Sequence, residues 1–297
     1  MKIIFWGTSQ FAVPALETLV KSGYEILAVF TGQGPVKTLA QEKNIKIFQP
    51  ATLKNDQIFE DFKNLNPDIC VVAAYGKIIP ERYLQVPKHG FVNIHPSLLP
   101  KYRGPSPIQT AIMNGDTDTG VSLMVIDKEM DHGPIISQKT YSIPEDQYYK
   151  TIEKDLAELG AQLLIDTLPK YISLEVQPQK QDHSQATFTK MLTRADSRIG
   201  WNEPIEKIYN LIRALNPEPG TWTTWNGKIL NIKSSLIGIA THETIAPGTV
   251  TKVGDDIVIT TERGYLIPQI VQLEGKKETN IKSLLNGYPH LLNSKLE

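Results

Sequence analysis

Over its first 170 residues the chain alternates short apolar runs with stretches of helical spacing, and that alternation narrows the choice of fold more than any other feature. Ile3 to Trp6 is strand-like and ends at Gly7-Thr8-Ser9. Phe11 to Ser22 then repeats apolar residues at helical intervals (Phe11, Leu16, Leu19, Val20) until Gly23 stops it. A strand over 25–31, a helix over 35–43, a short strand over 46–49, a helix over 58–65 and a buried strand over 69–74 follow. Strands separated by helices of about ten residues predict βαβ units and a parallel sheet. After a strand over 91–95 and a helix over 107–114, strand-like runs over 121–126 and 135–141 flank a turn, which predicts a hairpin at the sheet edge. A helix from about 149 to 168 follows, with Leu156, Leu159, Leu163 and Leu164 on its apolar stripe.

From about residue 177 to 193 the chain turns polar and reads as an exposed linker, with His183 in solvent. Beyond a helix near 204–215, strands are expected over 221–225, 228–233, 248–253, 256–260 and 264–272, with Asn226-Gly227 suited to a two-residue hairpin turn. Short strands with Gly-rich turns suggest a small barrel. The expected architecture is therefore α/β: a Rossmann-like, mostly parallel N-terminal domain over 1–176, a linker over 177–195, and a C-terminal OB-like β-barrel domain over 196–297. Gly7-Thr8-Ser9-Gln10 is not a G-x-G-x-x-G fingerprint, so a dinucleotide site is unsupported. Its amides suit either a bound phosphate or an ordinary tight turn.

A net charge of -1 supplies no global basic field, so a nucleic-acid partner has to be held by a local patch. The one cysteine, Cys70, excludes an intrachain disulfide, and its apolar neighbours mark it as a buried small hydrophobe. The chain starts directly on a strand-like run, and no apolar stretch approaches the ~20 residues of a membrane helix. A cytoplasmic protein without membrane contact is expected.

The most informative stretch for chemistry is Asn93-Ile94-His95-Pro96-Ser97-Leu98-Leu99-Pro100, followed by Lys101-Tyr102-Arg103-Gly104. On an extended strand, i and i+2 share a face, so Asn93 and His95 can converge on one reacting atom. Asp131-His132-Gly133 lies between two strand-like runs and can bring a carboxylate to the same pocket. His95 alone reads as a structural histidine, and Asp131 alone as a turn residue; together with Asn93 they read as catalytic. Asp127 is expected in a turn or at the surface, and His89 and His132 as bystanders. No His/Cys/Asp cluster has metal-ligand spacing, so no metal is expected.

Asn-x-His, then Ser-Leu-Leu-Pro, then Asp-x-Gly, in this order and spacing, resembles the pattern of the folate-dependent formyltransferases, and the similarity extends over nearly the whole chain. The resemblance implies formyl transfer from N10 of 10-formyltetrahydrofolate to an amine, releasing tetrahydrofolate. Asn93 would donate to the oxyanion, His95 would donate to it or relay a proton, and Asp131 would orient His95 and assist proton movement. It also implies that Ser97, Leu98, Leu99 and Pro100 line the folate site and that backbone from Tyr75 through Gly76 to Ile78 walls the pterin.

The acceptor rests on the C-terminal third, where Arg213 to Trp222 (RALNPEPGTW) resembles the start of the C-terminal domain in the branch acting on initiator methionyl-tRNA. Candidate tRNA contacts are Lys37, Arg103, Lys190, Arg194, Lys228, Lys233 and Lys252, with Lys276 and Lys277. Core packing is the expectation for Trp222 and Trp225. Members of that branch carry a longer basic loop after the second strand; here Thr31 to Lys37 (TGQGPVK) runs almost directly into the next helix. Two alternatives stay open: formylation of an amino sugar or other small amine, and a non-catalytic folate- or RNA-binding protein. A monomer is implied by the resemblance.

Overall fold

Ile3, Ile4, Phe5 and Trp6 are all fully buried, because the first strand lies inside a seven-stranded sheet. The computed structural model describes residues 1–238 and 245–297. In chain order the first part comprises β1 (Lys2–Gly7), α1 (Val13–Lys21), β2 (Glu25–Phe30), α2 (Pro35–Glu42), β3 (Ile47–Phe48), α3 (Asp56–Asn64), β4 (Ile69–Ala73), α4 (Glu81–Leu84), β5 (Phe91–His95), α5 (Pro107–Asn114), β6 (Asp118–Val125), β7 (Ile135–Ser142) and α6 (Tyr149–Ile172). Strand order is β3-β2-β1-β4-β5-β6-β7. The first five are parallel, while β6 runs antiparallel to β5 and pairs with β7 as the expected edge hairpin. Because the order reverses beside β1, side chains beyond the carboxyl ends of the inner strands face a crevice suited to ligands. The Gly7–Gln10 turn is tied down: Thr8 N donates to Ala74 O at 3.2 Å, and Thr8 Oγ1 accepts from Gly32 N at 3.1 Å.

Trp6 organises one side of this sheet, stacked on Phe30 at 4.0 Å and edge-on to Tyr75 and Tyr83. Cys70 on β4 is fully buried in the same cluster, and burial pushes its thiol well above the ordinary range. The chain falls into two units, the first being Met1–Pro107, Asp118–Ile143 and Thr151–Lys190, the second Ile108–Thr117, Pro144–Lys150 and Met191–Glu297. Up to residue 190, then, the segment expected as an exposed linker is seated in the first unit. Gln179 pairs with Ile135 through two 2.8 Å backbone bonds, and Gln181 is buried.

The second unit is built on α7 (Ile205–Leu215), β8 (Thr221–Trp225), β9 (Lys228–Gly238), β10 (Val250–Val253), β11 (Asp256–Thr260), β12 (Tyr265–Leu273), β13 (Thr279–Asn280) and α8 (Ile281–Gly287). Its antiparallel sheet has the order β10-β11-β12-β9-β8, with β13 on β12. Both edges meet the last residues of the chain. Val250 N donates to Ser294 O and Leu296 N to Gly248 O on one side, and Thr224 and Glu297 exchange bonds of 2.9 and 3.0 Å on the other. The segment 293–297 thereby joins the two edges and removes the open strand edges that a flat sheet exposes. Ile205, Ile208 and Ile212 put the apolar stripe of α7 against this sheet, each burial contributing about 1.5–3 kcal/mol. Arg213 of the same helix is buried and holds Pro144 O and Gln147 O at 2.9 and 3.2 Å.

Candidate active site

Asn93 and His95 leave the same face of β5, and the turn between β6 and β7 brings Asp131 to them. Asn93 Nδ2 lies 3.5 Å and His95 Nδ1 3.6 Å from Asp131 Oδ1. At 3.5 Å the Asn93 amide donates only weakly to the carboxylate, and 3.6 Å is too long for a hydrogen bond from His95. Gly104 N donates to the other oxygen, Oδ2, at 2.8 Å. His95 Nε2 meets Tyr102 O at 2.9 Å, and a carbonyl only accepts, so Nε2 carries the proton and Nδ1 faces Asp131. The imidazole is 5% and the carboxylate 15% exposed, a dry setting in which charge is weakly screened.

Backbone geometry explains the Asp-x-Gly spacing. Asp131 adopts φ +51°, and a Cβ on Gly133 would stand 1.9 Å from Val125 O, so only glycine fits where the turn rejoins β6. Asp127, expected in a turn, accepts from Glu129 N at 2.9 Å and from His132 Nδ1 at 2.6 Å. His132 is no isolated bystander, for its ring stacks on that of His183 at 4.0 Å. His183 is exposed as expected, yet it also receives Arg103 Nη2 at 2.8 Å on Nδ1.

The loop after β5 is shaped from within. Ser97 Oγ donates to Lys101 O and Ser122 Oγ to Ser97 O, both at 2.6 Å, while Gln138 Nε2 donates to Leu99 O at 2.9 Å. Ser97 and Leu99 are buried, so they support this loop rather than present side chains to a ligand; Leu98 and Pro100 are half-buried. Leu98 lies over Gly120, where a Cβ would come within 2.6 Å of it. Tyr75 also points inward, its hydroxyl pushed up to about 12 by burial, which leaves its backbone for a ligand. Gly76 takes φ +77°, and Ile78 is 83% exposed.

Among the cationic candidates, Arg103 requires correction: it is 3% exposed, with Nε and Nη2 on Gln181 Oε1 at 3.2 and 2.7 Å, so its guanidinium is not free for phosphate. Arg194 is exposed but committed to Pro219 O, Gly220 O and Asn231 Oδ1, and Lys233 pairs with Glu278 at 3.4 Å. Lys37 holds Gln33 Oε1 at 3.1 Å. Lys190, Lys228, Lys252, Lys276 and Lys277 are exposed. Trp225 packs in the core, whereas Trp222 is half-buried with the guanidinium carbons of Arg194 and Arg198 at 5.6 and 5.5 Å from its ring. Sequence reasoning passed over Gln138, Gln181 and Arg198; their roles depend on contacts distant along the chain, and no local pattern marks them.

Fold and site together define a class: a Rossmann-like α/β domain with an amide, an imidazole and a carboxylate converging beside an inner strand, joined to an antiparallel β-domain. Comparison with known proteins narrows it. The formyl transferase family matches residues 2–168, and the formyl transferase C-terminal domain matches residues 191–289. The chain is 40% identical to the methionyl-tRNA formyltransferase of Caldanaerobacter subterraneus, over 97% of both chains, and 37% identical to that of Fusobacterium nucleatum, again over 97% of both. An N-formyltransferase from Helicobacter canadensis, solved with folinic acid and dTDP-3-aminofucose, shares the fold at TM-score 0.69 and 23% identity, covering 90% of this chain and 98% of that one. The chain belongs to the formyl transferase family.

Proposed function

We propose that the protein transfers the formyl group of 10-formyltetrahydrofolate to the amino group of initiator methionyl-tRNA. The observation that carries the reaction is the convergence of Asn93 Nδ2 and His95 Nδ1 within 3.6 Å of one oxygen of Asp131. Relatives of that activity matching almost end to end support the acceptor.

Residues 97–100 and the backbone of 75–78 are the donor's site. The attacking amine forms its bond to the formyl carbon, and the carbonyl oxygen becomes an oxyanion. Asn93 donates to that oxygen, an interaction whose removal costs about 2.7–4 kcal/mol in comparable sites. His95 takes a proton on Nδ1 and becomes a second donor there, its cation stabilised by Asp131. The amine's proton passes by way of His95 and Asp131 to N10, the C–N10 bond breaks, and tetrahydrofolate leaves. A donor set of amide, imidazole and carboxylate is sufficient for this chemistry.

The test incubates the protein with 10-formyltetrahydrofolate and either methionyl-tRNA or a nucleotide-linked amino sugar. Formyl-methionyl-tRNA is expected, with no formylated sugar. Transfer to the sugar but not to the tRNA overturns the acceptor and favours the small-amine reading.

A further inference from the structure

Gln181 and Arg103 are two buried polar side chains that the chemistry above does not use, 6% and 3% exposed. Arg103 can only donate, and it places Nε and Nη2 on Gln181 Oε1. That fixes which way round the amide lies, because backbone carbonyls only accept. Gln181 Nε2 accordingly donates to Asp131 O at 2.9 Å and Gly133 O at 2.7 Å. One side chain thus clasps both ends of the turn that carries the carboxylate, where Asp131 sits at φ +51°.

On its other side the clasp reaches the segment that holds the reacting groups. Tyr102 O receives His95 Nε2, and Gly104 N donates to Asp131 Oδ2, so Arg103 sits between the two backbone groups that set the imidazole and the carboxylate. We propose that Gln181 is a positioning residue: through Arg103 and the 131–133 backbone it holds the Asp131 carboxylate against His95, a role that rests on the formyl-transfer reading. Only glutamine meets the requirement, since glutamate supplies no donor for the two carbonyls and asparagine is one methylene too short.

The test measures kcat and KM for wild type, Gln181→Ala, Asp131→Asn and the double variant, with Gln181→Glu as an isosteric second variant should the alanine form fail to fold. The expected kcat of Gln181→Ala is lower by about a hundredfold, the loss associated with a roughly 1 Å misplacement. KM for the folate should change little. In the Asp131→Asn background the same substitution should add almost nothing, because the group it positions is already gone. Wild-type kcat in Gln181→Ala and Gln181→Glu, or an undiminished loss in the Asp131→Asn background, overturns the proposal. A wild type that formylates no methionyl-tRNA counts against the acceptor alone. The positioning role is then decided by a crystal structure of Gln181→Ala or Gln181→Glu. An Asp131 Oδ2 retained 2.8 Å from Gly104 N rejects it, and a displaced carboxylate supports it.

Discussion

His95 gives the strongest constraint on how the site works, because its two nitrogens have unlike partners. Tyr102 O keeps a proton on Nε2, which leaves Nδ1, on the Asp131 side, for the proposed proton transfer. His95→Ala and Asp131→Asn should each lower kcat by about 10²–10⁴-fold, the usual contribution of a positioned acid or base. The folate's KM should stay near wild type, since neither side chain lies on the 97–100 loop proposed for the donor. Steady-state kinetics with the donor varied read both quantities, and an unchanged kcat in either variant removes that residue from the reaction. Asn93→Ala belongs to the same group: with the proposed donation of its amide to the oxyanion, the loss should again fall on kcat.

Strand β4 shows which parts of the fold were readable in advance. Ile69–Ala73 is buried throughout, so it carries an unbroken apolar run, and the helices around it betray themselves by their stripes. β6 carries a similar buried run, β8 and the first half of β9 were legible by their period-two alternation, and the grouping of Asn93, His95 and Asp131 was legible because spacing on a strand and a turn is local. Four-residue α4 and two-residue β13 are too short to carry a period. The seating of 179–189 was illegible for another reason: Gln181 lies in a polar run, and its partners are 48 to 78 residues away in sequence. Two tests belong to these elements. Gly133→Ala sets a Cβ against Val125 O, so the β6–β7 turn must shift; a lower melting temperature and lost activity are expected, and wild-type values in both would show that the turn gives way freely. Cys70 supplies a pH dependence. Its pKa is raised in the folded protein, so above about pH 8.5 the unfolded thiol ionises while the folded one stays protonated. The folded state then binds more protons, and stability falls as pH rises through that window. Denaturant titrations across pH 8–10 should show a shallower decline in Cys70→Ala than in wild type; identical slopes would mean that the thiol ionises as readily in the fold.

With a net charge of -1 over 297 residues, attraction to a polyanion has to come from where cations stand rather than from their total. Arg103, Arg194 and Lys233 are engaged within the protein, which leaves exposed lysines such as Lys228 on β9 and Lys252 on β10 as the better candidates for phosphate contact. The charge of Lys233 is already offset by Glu278, so it provides an internal control. Each phosphate contact adds about 0.7–0.9 to the slope of log affinity against log salt. Lys228→Gln combined with Lys252→Gln should therefore weaken methionyl-tRNA binding at low salt and flatten that slope by roughly 1.4–1.8. Lys233→Gln should flatten it less, because displacing the glutamate offsets what the lysine gains from a phosphate. Binding isotherms between about 50 and 200 mM salt resolve the difference, since this range alters affinity by orders of magnitude for a multi-contact polyanion. A double variant with the wild-type slope would remove these two strands from the proposed tRNA surface while leaving the proposed formyl-transfer centre untouched, because Asn93, His95 and Asp131 all belong to the other unit.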